Sequence, residues 1–425
     1  MLPHGAAFFR GGTYVWKTII QDFCSEYLVY WSRPLAIGWS SHKKADFSNV
    51  IFVGDSISAG FQNGGLSSEG QTNGYPVFIA EQADFDITLP LVSEPGVPFK
   101  LVLKDTDPLT IVEERGPSGR INPKQQATNL AVPGQMVNDA LFKRPFDDDP
   151  ITTLVLGFPG IYTKTIKSQI EWAEELSPTF VFLWIGNNDV LQFATKGGTE
   201  AITPIDEFER DYLEILDRLE DTGADLVLGN IGDVTSIPFF LSAEDLAETI
   251  GEDLSVIGPI LGITNGDFIT LEGLAMVEKI LAGTQKPILP DRVVLDSTEV
   301  EQAQQAVDRV NEFINDEAYR RDIPVVDINL LFKFVQIFGI PANGKQLNAQ
   351  FLGGLFSLDG IHPTNTGYAV IANHFIRTLN RCYRARIPRI DIPEVAESDP
   401  LVIPELLPDT DDFIRNRFKR KFAMP

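Results

Sequence analysis

Short, wholly apolar runs recur along the chain, each closed by glycine or a polar residue. Val50-Ile51-Phe52-Val53 ends at Gly54; Phe180 to Ile185, Leu226-Val227-Leu228 and Val325-Val326 follow the same pattern. A strand with one wet face alternates, so runs apolar at every position predict strands buried on both faces. Between them lie helical patterns. Thr203 reads as an N-cap with Pro204 at the first helical position, and Ile205, Phe208, Tyr212, Ile215 and Leu219 then share one side up to a stop at Gly223. Thr298 and Glu301 read as a capping box before Ala303, Ala306, Val307, Val310 and Ile314. Strands alternating with helices predict an α/β fold, a three-layer α/β/α domain around a central parallel sheet. Active sites in such sheets sit at the carboxyl ends of the strands.

Two long insertions interrupt the alternation, at about residues 66–126 and 231–297. The first is Pro-rich with β character at Phe99 to Leu103 and Leu109 to Val112; the second carries short apolar helical patterns. The expected organisation is an aromatic-rich segment over 1–46, a main domain over 47–386 holding both insertions, and a Pro-rich tail over 387–425. In the first segment Trp16, Ile19, Ile20, Phe23, Tyr27 and Tyr30 fall at helical spacing, as for a surface helix docked on the domain or one lying at a membrane interface. The tail is acidic, turns basic at Arg415 to Lys421, and is expected to wrap the surface or fray.

Charge narrows the partners. With a net charge of −24, the 425-residue chain is repelled by phosphate backbones, so nucleic acid is disfavoured and a neutral or apolar substrate is easier to accept. Cys24 and Cys382 are the only cysteines, too few for a disulfide framework; two free thiols are expected, the alternative being one bridge between them. Among the histidines His4, His42, His362 and His374 there is no H-E-x-x-H, so no metal site is expected. No apolar run reaches the roughly 18 residues of a membrane span. Polar residues interrupt every candidate signal-peptide core, so no signal peptide is expected from this stretch.

Four polar elements each follow a strand or open a turn. Gly54-Asp55-Ser56 comes directly after the first apolar run, where a serine at a strand end can point its own N–H at a substrate carbonyl. Asn129-Leu130-Ala131-Val132-Pro133-Gly134 ends in a glycine that lets a backbone N–H approach a substrate oxygen. Gly186-Asn187-Asn188-Asp189 follows the Phe180–Ile185 run and offers an amide donor. Asp359-Gly360-Ile361-His362-Pro363 pairs a histidine with an aspartate three residues earlier, close enough to fix the imidazole's other nitrogen. Other patterns fall away. Gly339 to Gln346 lacks the Ser or Thr of a phosphate loop, Ser41-x-x-Lys44 has no β-lactamase partner motifs, and no Gly-x-Ser-x-Gly elbow exists. Asp147-Asp148-Asp149 reads as a solvated acidic loop rather than a calcium ligand set.

In this order the four elements resemble those of the SGNH hydrolase superfamily, the GDSL-type esterases and lipases. Ser56 matches its nucleophile, Gly134 its glycine, Asn188 the asparagine of Gly-x-Asn-Asp, and His362 with Asp359 its base and orienter; Ile57 replaces the usual leucine. The resemblance covers about residues 49–382 and implies a flavodoxin-like fold, ester hydrolysis through an acyl-enzyme on Ser56, and no cofactor. It further implies an oxyanion hole of Ser56, Gly134 and Asn188, a small-molecule or lipid ester substrate, and compatibility with a secreted or periplasmic setting. An acyltransferase using the same residues and a non-catalytic binding module on the same fold are the alternatives. The first insertion leaves just after the Ser56 turn and rejoins just before Gly134, so it is expected to form one wall of the substrate pocket, the alternative being a peripheral hairpin.

Overall fold

The computed structural model describes residues 44–147 and 149–410. The aromatic 1–43 stretch, Cys24, Ser41, Asp148 and the basic end of the tail lie outside the described residues.

Four parallel strands form the central sheet: β1 (Val50–Gly54), β2 (Phe180–Trp184), β3 (Asp225–Gly229) and β4 (Val325–Val326), adjacent in that order. Val50 to Gly54 pair in register with Phe180 to Trp184, and every residue of both strands is buried. That explains their unbroken apolar sequences. On the outer side of β1, residues 128–132 run alongside: Phe52 N–H donates to Thr128 O (3.0 Å), and Leu130 and Val132 donate to Phe52 O and Gly54 O. Counted with this flanking segment, the order by chain position is 2-1-3-4-5. The direction of winding therefore reverses between β1 and β2, the point at which open α/β sheets place their binding crevice, at the carboxyl ends of the strands.

Helices clothe the sheet: α1 (Ser56–Ala59), α2 (Tyr75–Ala83), α3 (Val137–Phe142), α4 (Gln169–Leu176), α5 (Asn188–Thr195), α6 (Ile205–Asp221), α7 (Ser297–Arg320), α8 (Ile328–Phe338) and α9 (Asn365–Cys382). Alternation along a strand sends Phe180, Phe182 and Trp184 to one face. There Phe182 stacks on Phe52 at 4.4 Å between ring centroids, and Phe375 of α9 lies 4.9 Å from Tyr75 of α2 and 5.9 Å from Trp184. A second group, α3, α4, α6 and α7, packs together around α6. The molecule is thus an α/β protein with a central parallel sheet between helices, as the sequence predicts.

Two helix starts differ from expectation. α6 begins at Ile205 with Pro204 at the cap position, and the Thr203 hydroxyl turns inward to Asp189 instead of capping. In α7 the capping box is Asp296 with Glu299, not Thr298 with Glu301: Glu299 N–H donates to Asp296 Oδ1 and Asp296 N–H to Glu299 Oε2. The sequence Asp296-Ser297-Thr298-Glu299 offers a box two residues earlier, and the aspartate carboxylate takes it. The Gly339 to Gln346 stretch is a hairpin, Ile340–Ala342 against Lys345–Leu347, turned by Asn343 and Gly344 at positive φ. Asp149 caps the helix Pro150–Leu156, and no helix among the described residues is long and apolar enough to cross a membrane.

Candidate active site

Ser56 opens α1 directly at the end of β1. Asp55 caps that helix, its Oδ1 accepting from Ile57 N–H (3.1 Å) and its Oδ2 from the Asn187 amide (2.8 Å). Burial pushes the Asp55 carboxyl up to about 6, against the Asn187 hydrogen bond that holds it down.

Asp359 and His362 share a turn closed by the antiparallel Phe356–Pro363 bridge, just before α9. Asp359 Oδ1 accepts from the Ile361 and His362 N–H groups (2.9 and 2.8 Å), so the aspartate folds its own turn. Its Oδ2 accepts from Gly64 N–H (2.8 Å) and faces His362 Nδ1 at 3.0 Å. Burial raises the Asp359 carboxyl, but the His362 charge and the hydrogen bonds from His362 and the backbone outweigh it and hold it below its ordinary value. A carboxylate only accepts, so the Nδ1 proton belongs on His362 and Nε2 is left as the acceptor. Nε2 lies 2.8 Å from Ser56 Oγ. Ser56 and His362 are each 9% exposed, and the Phe61 ring covers the imidazole at 4.6 Å. An acceptor nitrogen is therefore within reach of the hydroxyl proton, and a carboxylate is within reach of the ring's other nitrogen.

The other two predicted residues converge from neighbouring strand ends. Gly134 follows the 128–132 segment with φ of 80°, in the left-handed region glycine favours, and a Cβ there would meet nothing within 4 Å. Open space above a backbone N–H is what an incoming oxygen needs. Asn188 opens α5 after β2, is 7% exposed, and donates one amide hydrogen to Gln135 O (3.0 Å). The adjacent asparagines are thereby separated in duty, Asn187 serving the Asp55 cap and Asn188 facing the Gly134 turn. Behind Asn188, Asp189 accepts from Val137 N–H (3.1 Å), and burial raises its carboxyl to about 7.

Several contributors escape sequence reasoning. Gln169 holds both backbone groups of Gly54, its Oε1 accepting from Gly54 N–H and its Nε2 donating to Gly54 O, each at 3.0 Å. A lone glutamine opening an otherwise apolar Ile170-Trp172-Ala173 face was the available signal. The second insertion also reaches the site: Phe239 N–H donates to Gly360 O (2.8 Å) within the Asp359–His362 turn. The expected pocket wall was placed in the first insertion alone. Among the described residues no group of three or more His, Cys, Asp or Glu is placed to hold a metal ion.

Solved structures with some likeness include an acetylxylan esterase from Geobacillus stearothermophilus, in a catalytic mutant form, at 13% identity over 82% of this chain and 99% of that one, with a TM-score of 0.38. A member of the lipolytic G-D-S-L family from Veillonella parvula shares 12% identity over 78% and 98%, with a TM-score of 0.34. A GDSL-like lipase from Bacteroides thetaiotaomicron shares 14% over 78% and 87%, with a TM-score of 0.32. Curated proteins give no significant match. The assignment rests instead on the family description that spans the sheet, the Ser56 turn and the His362 turn together. Matched over residues 50–375, this chain belongs to the GDSL-like lipase/acylhydrolase family.

Proposed function

We propose that the protein is a serine ester hydrolase that cleaves carboxylic esters through an acyl-enzyme on Ser56. The observation that carries this reading is the continuous relay from Asp359 Oδ2 to His362 Nδ1 (3.0 Å) and from His362 Nε2 to Ser56 Oγ (2.8 Å). In the first half-reaction His362 takes the Ser56 proton as Oγ bonds to the ester carbonyl carbon, and the carbonyl π electrons move to oxygen. The Ser56 and Gly134 N–H groups and the second Asn188 amide hydrogen receive that oxyanion. The tetrahedral adduct collapses, the carbon–alkoxy bond breaks, and His362 returns its proton to the leaving alcohol. In the second half-reaction His362 draws a proton from water, hydroxide adds to the acyl carbon, and the acid leaves as Ser56 recovers its proton. Asp359 stays ionised throughout, fixing the tautomer and balancing the imidazolium charge.

Every group in the cycle is a side chain or backbone N–H of this chain, so the reading calls for no cofactor. One wall of the substrate pocket is formed in this reading by the first insertion. Its Phe99 ring would meet a Cβ at Gly64 within 2.6 Å, and Gly64 is the residue whose N–H supports Asp359. Ser56→Ala tests the whole: kcat on p-nitrophenyl acetate should fall by at least about 10³, and a fluorophosphonate should label Ser56 in the parent chain. An active Ser56→Ala protein, or a label on another serine, would sink the reading.

A further inference from the structure

We propose that Gln135 and Gln169 are positioning residues that set the spacing of the three oxyanion donors, an inference that rests on the hydrolase reading above. The donors come from three separate elements: Ser56 after β1, Gly134 after the 128–132 segment, and Asn188 at the start of α5. No single element fixes one relative to another. A chain of buried amides does. Gln169, at the start of α4, grips the N–H and C=O of Gly54, two residues before the nucleophile, and gives its remaining amide hydrogen to Gln135 Oε1 at 2.5 Å. Both hydrogens and the oxygen of that amide are thus committed. Gln135 immediately follows Gly134. Its N–H closes on Val132 O (3.3 Å) across the glycine, and its C=O accepts the Asn188 amide (3.0 Å). Its own side chain is anchored outward: Nε2 donates to Thr152 Oγ1 (3.1 Å), which donates to Asp149 Oδ2 (2.8 Å).

Gln135, Thr152 and Gln169 are all fully buried. Apolar side chains of the same shape would fill this space without the cost of desolvating amides. They could not, however, hold the directions of three dipoles at once. Electrostatic stabilisation of an oxyanion depends on donors fixed before the charge develops, so a network that removes their freedom acts on kcat and not on substrate binding.

The test is a double-mutant cycle in the full chain, reading kcat and KM on p-nitrophenyl acetate. Gln169→Met should lower kcat about tenfold with KM within about twofold. Asn188→Ala should cost about 10²–10³ in the parent but only about tenfold when Gln169→Met is already present, because the amide it removes is no longer held in place. Thr152→Val, isosteric and at the outer end of the chain, should lower kcat about threefold and serves if Gln169→Met fails to fold. An Asn188→Ala loss that is equal in both backgrounds, or full kcat in the folded Gln169→Met and Thr152→Val proteins, would overturn the proposal. A parent chain without ester hydrolysis, or hydrolysis that survives Ser56→Ala, would remove the underlying reading as well, so the two failures are distinct.

Discussion

The two insertions support the same turn by different physical means, the second directly through Phe239 and the first through the Asn63-Gly64 segment against which its Phe99 and Leu101 lie. Beyond α2, whose Tyr75 and Ile79 join the main core, the first is stitched by directional polar contacts. Gln71 donates to Pro90 O and accepts from Val92 N–H (2.9 and 2.8 Å), and Lys100 bridges Glu69 and Glu94. Arg120 spends its guanidinium on Leu154 O, Val155 O, Gln125 O and Asn122 Oδ1, and burial lowers its pKa to about 10. Its hairpin, Lys100–Thr106 with Leu109–Glu114, is largely exposed and has no apolar centre of its own. The second insertion owns one: Leu246, Ile257, Leu261, Ile269, Ile280 and Val293 bury one another beneath a three-stranded antiparallel sheet, Phe240–Ser242, Phe268–Thr270 and Val294–Leu295. Gly64 N–H, just before the first insertion, holds Asp359, and Phe239 N–H, from the second, holds Gly360. A region with its own core can open as a unit, whereas a stitched region shares the fate of the domain it is sewn to.

The sharpest way to break this contrast is to hollow out the second core. Leu261→Ala should cost about 2–5 kcal/mol. Hydrogen exchange should quicken across 240–295 while β2 and β3 keep their protection; uniform loss would show one cooperative unit. Next in size is a pair of glycine substitutions, both at positive φ. A Cβ on Gly360 would press on Phe239 N (2.9 Å) and Leu271 Cδ1 (2.8 Å), partly unyielding backbone, whereas one on Gly64 would meet the Phe99 ring. Gly360→Ala should therefore lower kcat about 10²-fold and Gly64→Ala about tenfold or less. Equal losses would mean that both insertions brace the turn equally stiffly.

The floor beneath both insertions supplies a pH test. Asp55 and Asp189 are raised to about 6 and about 7, so each favours the folded state fully below the unfolded value near 4 and loses that contribution as pH rises through its folded value. Stability should fall by about 2–4 kcal/mol from pH 5 to pH 8, read as a lower melting temperature, and Asp189→Asn should flatten the slope. The smallest effect is expected at the hairpin tip. Trimming residues 102–112 should change stability by under about 0.5 kcal/mol and leave ester-length preference intact, whereas Phe99→Ala should shift that preference. A shifted profile on trimming alone would make the tip part of the pocket.

What could be read from the sequence follows from range. β1 and β2 were legible because burial on both faces leaves an unbroken apolar signature, and Asp359 with His362 because their contact is made within one turn. The Gln169 grip on Gly54 joins residues 115 apart; a lone glutamine on an apolar face marks a buried polar partner but not which one. The α7 cap lies two residues earlier than expected because Asp296-x-x-Glu299 and Thr298-x-x-Glu301 overlap, and the pattern alone does not say which of them opens the helix. The role of the second insertion was hidden for a similar reason, since Phe239 acts through its backbone and its side-chain identity carries no trace of the contact.

Ser56 and His362, the proposed nucleophile and base, stand 306 residues apart, at opposite ends of the sheet-forming chain. At ribosomal rates of about 5–20 residues per second, Ser56 leaves the tunnel some 15–60 s before His362 does. Through that interval the aromatic face of Phe52, Phe182 and Trp184 also waits for Phe375 of α9, the ring that closes over it. Completion of the site and sealing of this greasy face are one event in biosynthesis. A nascent or C-terminally clipped chain would thus expose a sticky surface and carry Ser56 without His362 beside it, making it a chaperone client before its site is assembled.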